Sequence, residues 1–493
     1  MLALRGKNIA PLVIEETMKS IPLISQCFLV GDNYKFCSAL FTLDVGVILR
    51  DKVNIDTAKI PKDPALQIKM LEENSFKLSD FTDNKEIFSE GLSNRGYDIS
   101  NLDILVELDT KRRNYISDGD DKRSTRNQIS KKIGQEKRKP TSEESLFIKK
   151  LSGELKKVDE ELAVINEKIK EIMLNIPNLP DKNVPIGEDE NSNIEKDVIG
   201  VQRDENYIKP HWDIGPEKDI LDLEAGANIS GARFFVFKGK GARLHRALMN
   251  WMMDVHTDEF GYEEIDPPYL VKQETMIGSG NLPKFKDNLY RDDETDLWLI
   301  PTAEVSLNGL HQGKIITPAS LPKSYVARTP SFRKEHTSAG RDIRGIKRVH
   351  QFYKVEMFKY VHPDDSEEHL ESMIDNARTL CDRLELSSKL IQLSTGDIGF
   401  QSAITFDIEV WAAGSKEWLE VSSISNCYDF QSRRNNTRYK ETQASSTIFP
   451  HTLNGSGLAL PRIWVAIIEN GQQEDGSIKI PEVLIPYTGF ESI

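Results

Sequence analysis

The sequence predicts an α+β protein in three parts: a small α+β appendage, a long antiparallel helical arm, and one large domain in which strand and helix patterns alternate. Three observations carry this. Leu151, Leu155, Val158, Leu162, Ile165, Ile169 and Ile172 recur at spacings of 4 and 3, a sustained heptad seam with charged residues elsewhere. From about Asn193 to Ile493, alternating and amphipathic runs succeed one another over a length suited to a single catalytic domain. Within it, strands over Tyr325–Arg333 and Val349–Lys359 flank a loop carrying His336, Arg341, Arg344, Lys347 and Arg348, with Gly340 and Gly345 as turn residues.

At 493 residues the chain can bury a sizeable core and should hold two or three domains. A net charge of -14 offers nucleic acid no global attraction, so any RNA contact must use a local basic patch. Cys27, Cys37, Cys381 and Cys427 are scattered without CxxC spacing, which argues against structural zinc and a disulfide framework and predicts a reducing compartment. No apolar run reaches the roughly 18 to 20 residues that a membrane span needs, and the first residues lack the apolar core of a signal peptide. A cytoplasmic location follows, or an organelle matrix.

Residues 1–60 pattern as a short helix near Glu15–Ser20 and strands over Ser25–Gly31 and Phe36–Leu43. Gly6, Asn8, Ile9, Pro11, Ile14 and Glu15 form a GxNIxPxxIE run that resembles the hinge of the C-terminal subdomain in bubblegum-type long-chain acyl-CoA synthetases. The large adenylating domain of that family has no match, so the resemblance implies a fusion remnant or gene-model artefact. Residues 61–80, with Pro61 and Pro64, read as a linker.

The helical part occupies residues 81–190. The seam helix covers about Ser142–Leu174 and pairs with Asn101–Lys139, the stretch Lys139-Pro140-Thr141-Ser142 ending one helix and capping the next. Heptads alone favour a dimerising coiled coil by roughly two to one. Charge reverses that: Thr110–Lys139 holds 11 Lys or Arg against 4 Asp or Glu, as contact with an RNA backbone requires. Ser117-Asp118-Gly119-Asp120-Asp121 sets a glycine and acids on the seam, expected to weaken pairing by about 1 kcal/mol for the glycine alone. Pro177, Pro180 and Pro185 then force an extended exit. RRNY, RNQISKKIG and IPNLPDKNVPIGEDE resemble the N-terminal arm of seryl-tRNA synthetases, which implies tRNA contact through Arg123, Arg126, Lys131 and Lys132.

In the large domain, residues 191–493, a hairpin with a basic loop suits a polyphosphate, because arginine binds phosphate through a planar fork. On charge alone a solvated surface loop is the commoner outcome. FRKE, AGRDIRG and RVHQFYKVE together resemble motif 2 of the class II aminoacyl-tRNA synthetases in its seryl version. Leu244, Leu248, Trp251, Met252 and Val255 make Gly239–Phe260 an amphipathic helix that runs into GYEEIDPPYL, and this resembles motif 1, the dimer-forming element. Ser279–Tyr290 resembles the mobile segment before the amino-acid site, and LIPTAEV (299–305) the TAE serine loop. WLEVSSISN (418–426) is similar to EISSxSN. HTLNGSGLALPRIWVAIIEN (451–470), in which small residues enter an apolar helix carrying Arg462, is similar to motif 3.

The resemblance implies a class II antiparallel sheet flanked by helices, a homodimer, and ATP-dependent joining of L-serine to tRNA(Ser), with tRNA(Sec) as a second acceptor. Serine falls to Thr302, Ala303, Glu304, Arg333, Glu356, Asn454 and Ser456, with Glu304 and Glu356 sharing the ammonium and hydroxyl. ATP falls to Arg333, Lys334, Glu335, Val349, Phe352, Glu420, Val421, Ser422, Ser423 and Arg462, and Mg2+ to Glu420 with Ser423. Arg333, Glu356 and Arg462 carry the chemistry. TAEV in place of TSEQP points to the bacterial or organellar branch. Two rivals are an amino acid:carrier-protein ligase, which the long arm opposes, and a non-catalytic coiled-coil protein, which the Arg333, Glu356, Glu420 and Arg462 set opposes.

Overall fold

The computed structural model describes residues 24–30, 38–43, 85–317, 320–335, 344–440, 442 and 445–493. The expected helix at Glu15–Ser20, the 61–80 linker, and His336, Gly340 and Arg341 of the basic loop lie outside these residues. Two compact units emerge, Met1–Asn74 and Ser75–Ile493. In the first, β1 (Ile24–Val30) and β2 (Ser38–Leu43) pair antiparallel, with Cys27 opposite Phe41.

The second unit opens with α1 (Lys85–Asn94), followed by α2 (Ser100–Gln135) and α3 (Ser142–Leu174). Thr141 starts α3 through a reciprocal capping box: its hydroxyl accepts from Glu144 N–H at 3.2 Å, and Glu144 accepts from Thr141 N–H at 2.9 Å. Arg138 grips the same Glu144 through two bonds of 2.6 and 2.7 Å, closing the tip of the hairpin. The helices run antiparallel, with Leu151, Leu155, Val158 and Ile165 buried on the seam. At the base, Phe88, Leu92, Leu102, Leu105, Met173 and Ile176 form one apolar cluster joining α1 to both arm helices.

Helix α2 is unbroken through the acid-rich stretch, and Gly119 is buried against α3: a Cβ on it would lie 3.3 Å from Val158 Cγ1. The glycine that lowers helix propensity also lets the helices touch. The neighbouring acids serve as ion-pair partners, Asp118 to Lys122 and Asp120 to Arg123.

Eight described strands make the central sheet: β3 (Ile194–Ile199), β4 (Glu263–Glu264), β5 (Lys323–Phe332), β6 (Gln351–Val361), β7 (Ser388–Gln392), β8 (Ile404–Ala412), β9 (Glu417–Asn426) and β10 (His451–Ala459). Their spatial order is β3-β7-β8-β9-β10-β6-β5-β4, antiparallel throughout except for β4 beside β5. Four further helices matter for the site: α4 (Gly239–Asp258), α5 (Ala303–Gly309), α6 (Ser366–Arg383) and α7 (Leu460–Asn470). Leu244, Leu248, Trp251 and Met252 of α4 and Ile463 and Trp464 of α7 share one core with Val355 and Met357 of β6. The small residues 455–457, expected at a helix entrance, lie instead within strand β10, and the helix starts only at Leu460 with Pro461 in its first turn. Packing explains the strand, since a Cβ on Gly455 would lie 2.7 Å from Ile424 Cγ1 of β9.

Candidate active site

Strand pairing gathers the predicted serine residues. Glu356 of β6 stands opposite Ala327 of β5 on one side and Ser456 of β10 on the other, while Asn454 stands opposite Phe358 and Ser425. Beside them, Thr302 N-caps α5 by accepting from Glu304 N–H at 3.3 Å, which puts Ala303 and Glu304 in the first helical turn. Glu304 is buried, at 5% exposure, and its Oε1 accepts from Gln431 at 2.6 Å and from Gln401 at 3.4 Å. Burial, helped by the negative charge of Glu356, pushes its pKa up to about 7, with Lys354 opposing. A carboxyl poised this way ionises when a cation arrives. Glu356 forms an ion pair with Lys354, two residues earlier on the same strand face. Asn454 donates to Cys427 Sγ at 3.4 Å.

A second cluster lies at the ends of β5, β9 and α7. The Arg333 guanidinium centre sits 5.2 Å from the Phe352 ring centroid, and its Nε donates to Pro301 O at 3.3 Å. Next to it, Lys334 N–H donates to Asn288 O at 3.0 Å, and Glu335, in the left-handed region at φ 47°, has its carbonyl held by Arg233 at 2.8 Å. Arg462, in the first turn of α7, donates from Nη1 to Glu420 O at 2.6 Å and from Nε to Lys347 O at 3.2 Å. The Glu420 carboxylate lies 3.4 Å away. Desolvation of its inner face pushes the Glu420 carboxyl up although 46% of the side chain is exposed, and the positive charges of Arg462 and Arg333 outweigh it and hold the group below its usual range. Arg462 is therefore half-buried and already in contact with an acid.

Three predicted ATP residues offer no free polar side chain. Val349 and Val421 are buried in the core, and the Ser422 hydroxyl donates to Ser456 O at 2.5 Å. They fix the shape of the site and the β9–β10 join. Ser423 faces Asp407 across the β8–β9 ladder. Asp407 Oδ1 is buried with no hydrogen-bond partner among the described residues. Burial and the nearby Glu420 charge push the Asp407 carboxyl well up, a hydrogen bond from Ser423 opposing them only in part.

On the arm, Lys131 and Lys132 are exposed and Arg126 is half-buried. Arg123 is engaged, donating to Asp159 of α3 at 2.7 Å and to Asp120 at 3.2 Å, so it ties the hairpin together. Sequence reading missed Lys354, Asp407 and Gln431. Lys354 had a signal, its place two residues before Glu356 on the same face of an alternating strand. Gln431 and Asp407 acquire their places only from partners across the fold.

Comparison with known proteins gives a matching result. The family profile "tRNA synthetase class II core domain (G, H, P, S and T)" matches residues 284–471, and "Seryl-tRNA synthetase N-terminal domain" matches residues 66–180. The chain is 51% identical to the serine-tRNA ligase of Thermomicrobium roseum over 390 residues, 79% of this chain and 88% of that one. It is 46% identical to that of Dehalococcoides mccartyi over 412 residues, 83% and 98% of the two chains. Among solved structures, seryl-tRNA synthetase from Pyrococcus horikoshii complexed with ATP superposes with a TM-score of 0.78 at 34% identity, covering 85% of this chain and 99% of that one. Arm and core thus match two parts of one kind of enzyme, in the order found here, and the chain belongs to the seryl-tRNA synthetase family.

Proposed function

We propose that this chain, a serine-tRNA ligase by family, activates serine between β6 and β10 and discharges it onto tRNA held by the arm. Glu304 and Glu356 take the ammonium and hydroxyl of L-serine, with Thr302, Ala303, Asn454 and Ser456 enclosing them. Arg333 bridges the serine carboxylate and the α-phosphate. Phe352 stacks on adenine, Glu335 accepts from its amino group, Lys334 and Val349 line the nucleotide, and Arg462 holds the γ-phosphate. A carboxylate oxygen of serine attacks the α-phosphorus, the bond to the bridging oxygen breaks, and pyrophosphate leaves. A ribose hydroxyl of the terminal adenosine then attacks the seryl carbonyl, releasing AMP. Orientation and neutralisation of charge carry both steps. The observation that carries this reading is the layout of charge: an acidic, buried end at Glu304 and Glu356, and a phosphate end at Arg333 and Arg462, with Lys354 acting on both.

Hard oxygen donors at Glu420 and Ser423, with the unpartnered Asp407 Oδ1 beside them, fit Mg2+. Bound there with ATP, it would supply positive charge to the phosphates. The finer partners belong to the same proposal. A homodimer through the segment from α4 onward is supported by Tyr269 and Leu270, which stay 37% and 49% exposed. Arg126, Lys131 and Lys132 contact phosphates and so admit tRNA(Ser) and tRNA(Sec) alike. A cytoplasmic or organelle-matrix setting is supported by the free thiols of Cys381 and Cys427. No described helix is long and apolar enough to cross a membrane. Incorporation of labelled pyrophosphate into ATP, dependent on serine, tests the activation step. Its absence with folded protein overturns the reading.

A further inference from the structure

Two arginines cross between the base of the arm and the wall of the serine site. Arg95 follows α1 where Gly96, at φ 66°, stops the helix: Gly96 N–H bonds Ser93 O at 2.9 Å and Tyr97 N–H bonds Leu92 O at 3.0 Å. The Arg95 guanidinium then reaches the large domain. Its Nη1 donates to Asn178 O at 2.7 Å and Ser402 O at 3.0 Å, and its Nη2 to Ile398 O at 2.9 Å and Gly399 O at 2.7 Å. All four acceptors are main-chain carbonyls, and three belong to one turn. Burial lowers the Arg95 pKa to about 10, which leaves it charged at neutral pH. A planar fork with fixed donors suits this task, and its charged hydrogen bonds are among the stronger kind.

Arg434 runs the other way. It packs 5.3 Å from the Phe400 ring centroid and 4.3 Å from that of Phe430, and donates to Leu174 O at the end of α3 at 3.1 Å. Asn178 adds two bonds to the same turn, N–H to Phe400 O and Nδ2 to Gln401 O, both 2.9 Å. What the turn carries inward is Gln401, whose Nε2 reaches Glu304 Oε1 at 3.4 Å.

We propose that Arg95 is a positioning residue for the amino-acid substrate: from the base of the arm it holds the 398–402 turn so that Gln401 fixes the Glu304 carboxylate. The proposal rests on Glu304 as a serine ligand. It makes serine binding depend on the arm base, while the phosphate end, built on β5, β9 and α7, does not.

The test uses the full chain and its Arg95→Gln, Arg95→Lys, Gln401→Ala and Glu304→Gln variants, each with a melting curve and pyrophosphate-exchange kinetics. Arg95→Gln should raise KM for serine about tenfold, as small misplacements of positioning groups do, with KM for ATP within about twofold of the original. Arg95→Lys should recover part of the loss, because one ammonium cannot span four carbonyls. Gln401→Ala should raise KM for serine similarly, and combining it with Arg95→Gln should add little. Should Arg95→Gln fail to fold, the lysine and Gln401 variants decide. Unchanged serine KM in the Arg95 variants, while Glu304→Gln raises it, overturns this proposal alone. Equal shifts in both KM values overturn it too, as the mark of a merely structural role. An unchanged serine KM in Glu304→Gln overturns the assignment of Glu304 and this proposal with it.

Discussion

Arg462 holds Glu420 twice from one nitrogen, at 2.6 Å to the carbonyl oxygen and 3.4 Å to the carboxylate. A carbonyl and a carboxylate that hold the guanidinium before phosphate arrives keep the cation aimed. Arg462→Ala should cut serine-dependent exchange by a factor on the order of a hundred, as loss of a preorganised charge does. The melting temperature should stay near the original, because the Arg462 side chain is 21% exposed and water can replace it. Arg462→Lys should recover only part, lacking the planar fork. A large fall in melting temperature with exchange per folded molecule intact would make Arg462 structural.

Glu304 gives a pH test with a definite sign. Its pKa, raised from 4.5 to about 7 in the fold, means that folding favours the protonated form. The stability it contributes is full below about pH 4.5 and is lost as pH rises through 7. Glu304→Gln stays neutral, so its melting temperature should gain on the parent between pH 5 and pH 8. Serine needs the ionised form, so KM for serine in the parent should fall as pH rises through 7. Paired melting and exchange data across that range check both; parallel melting curves would show that Glu304 does not titrate there.

Much of the fold was legible because its signals are local. The hairpin expected at Tyr325–Arg333 and Val349–Lys359 lies at Lys323–Phe332 and Gln351–Val361, set by alternation along each strand. Lys139-Pro140-Thr141-Ser142 marks the turn between the arm helices, and Thr141 caps the second as expected. The misplaced element was His451–Ala459, where glycines hid a strand whose fit depends on Ile424 in a neighbouring strand. The site divides the same way. Residues within one motif were visible, while Arg95 and Ser402 are 307 positions apart and no pattern links them. Arg123 counted as basic in sequence, yet Asp159, 36 residues on, engages it.

The arm should serve transfer and not activation, provided its base is kept. Removing residues 113–164 and joining Arg112 to Ile165 by a short turn preserves Leu102, Leu105 and Met173, which seat α1. Exchange should survive, while tRNA charging and its steep dependence on salt disappear. Loss of exchange in a variant that still folds would show that the outer arm reaches the site.

Residues 1–74 should be dispensable. The chain divides into compact units at Asn74 and Ser75, and the run within residues 1–60 that resembles an acyl-CoA synthetase implies no part in tRNA charging. A chain beginning at Ser75 should charge tRNA within about tenfold of the full one, or 1.4 kcal/mol in transition-state terms. A larger loss would give the appendage a role in the reaction.

The central claim is that this site makes seryl-adenylate, and amino-acid-dependent pyrophosphate exchange tests it most directly, with serine, threonine and alanine compared on the parent and on Glu356→Gln. Exchange should follow serine far above the other two in the parent, and KM for serine should rise sharply in Glu356→Gln. Equal exchange with all three amino acids, or a variant indistinguishable from the parent, would contradict the account.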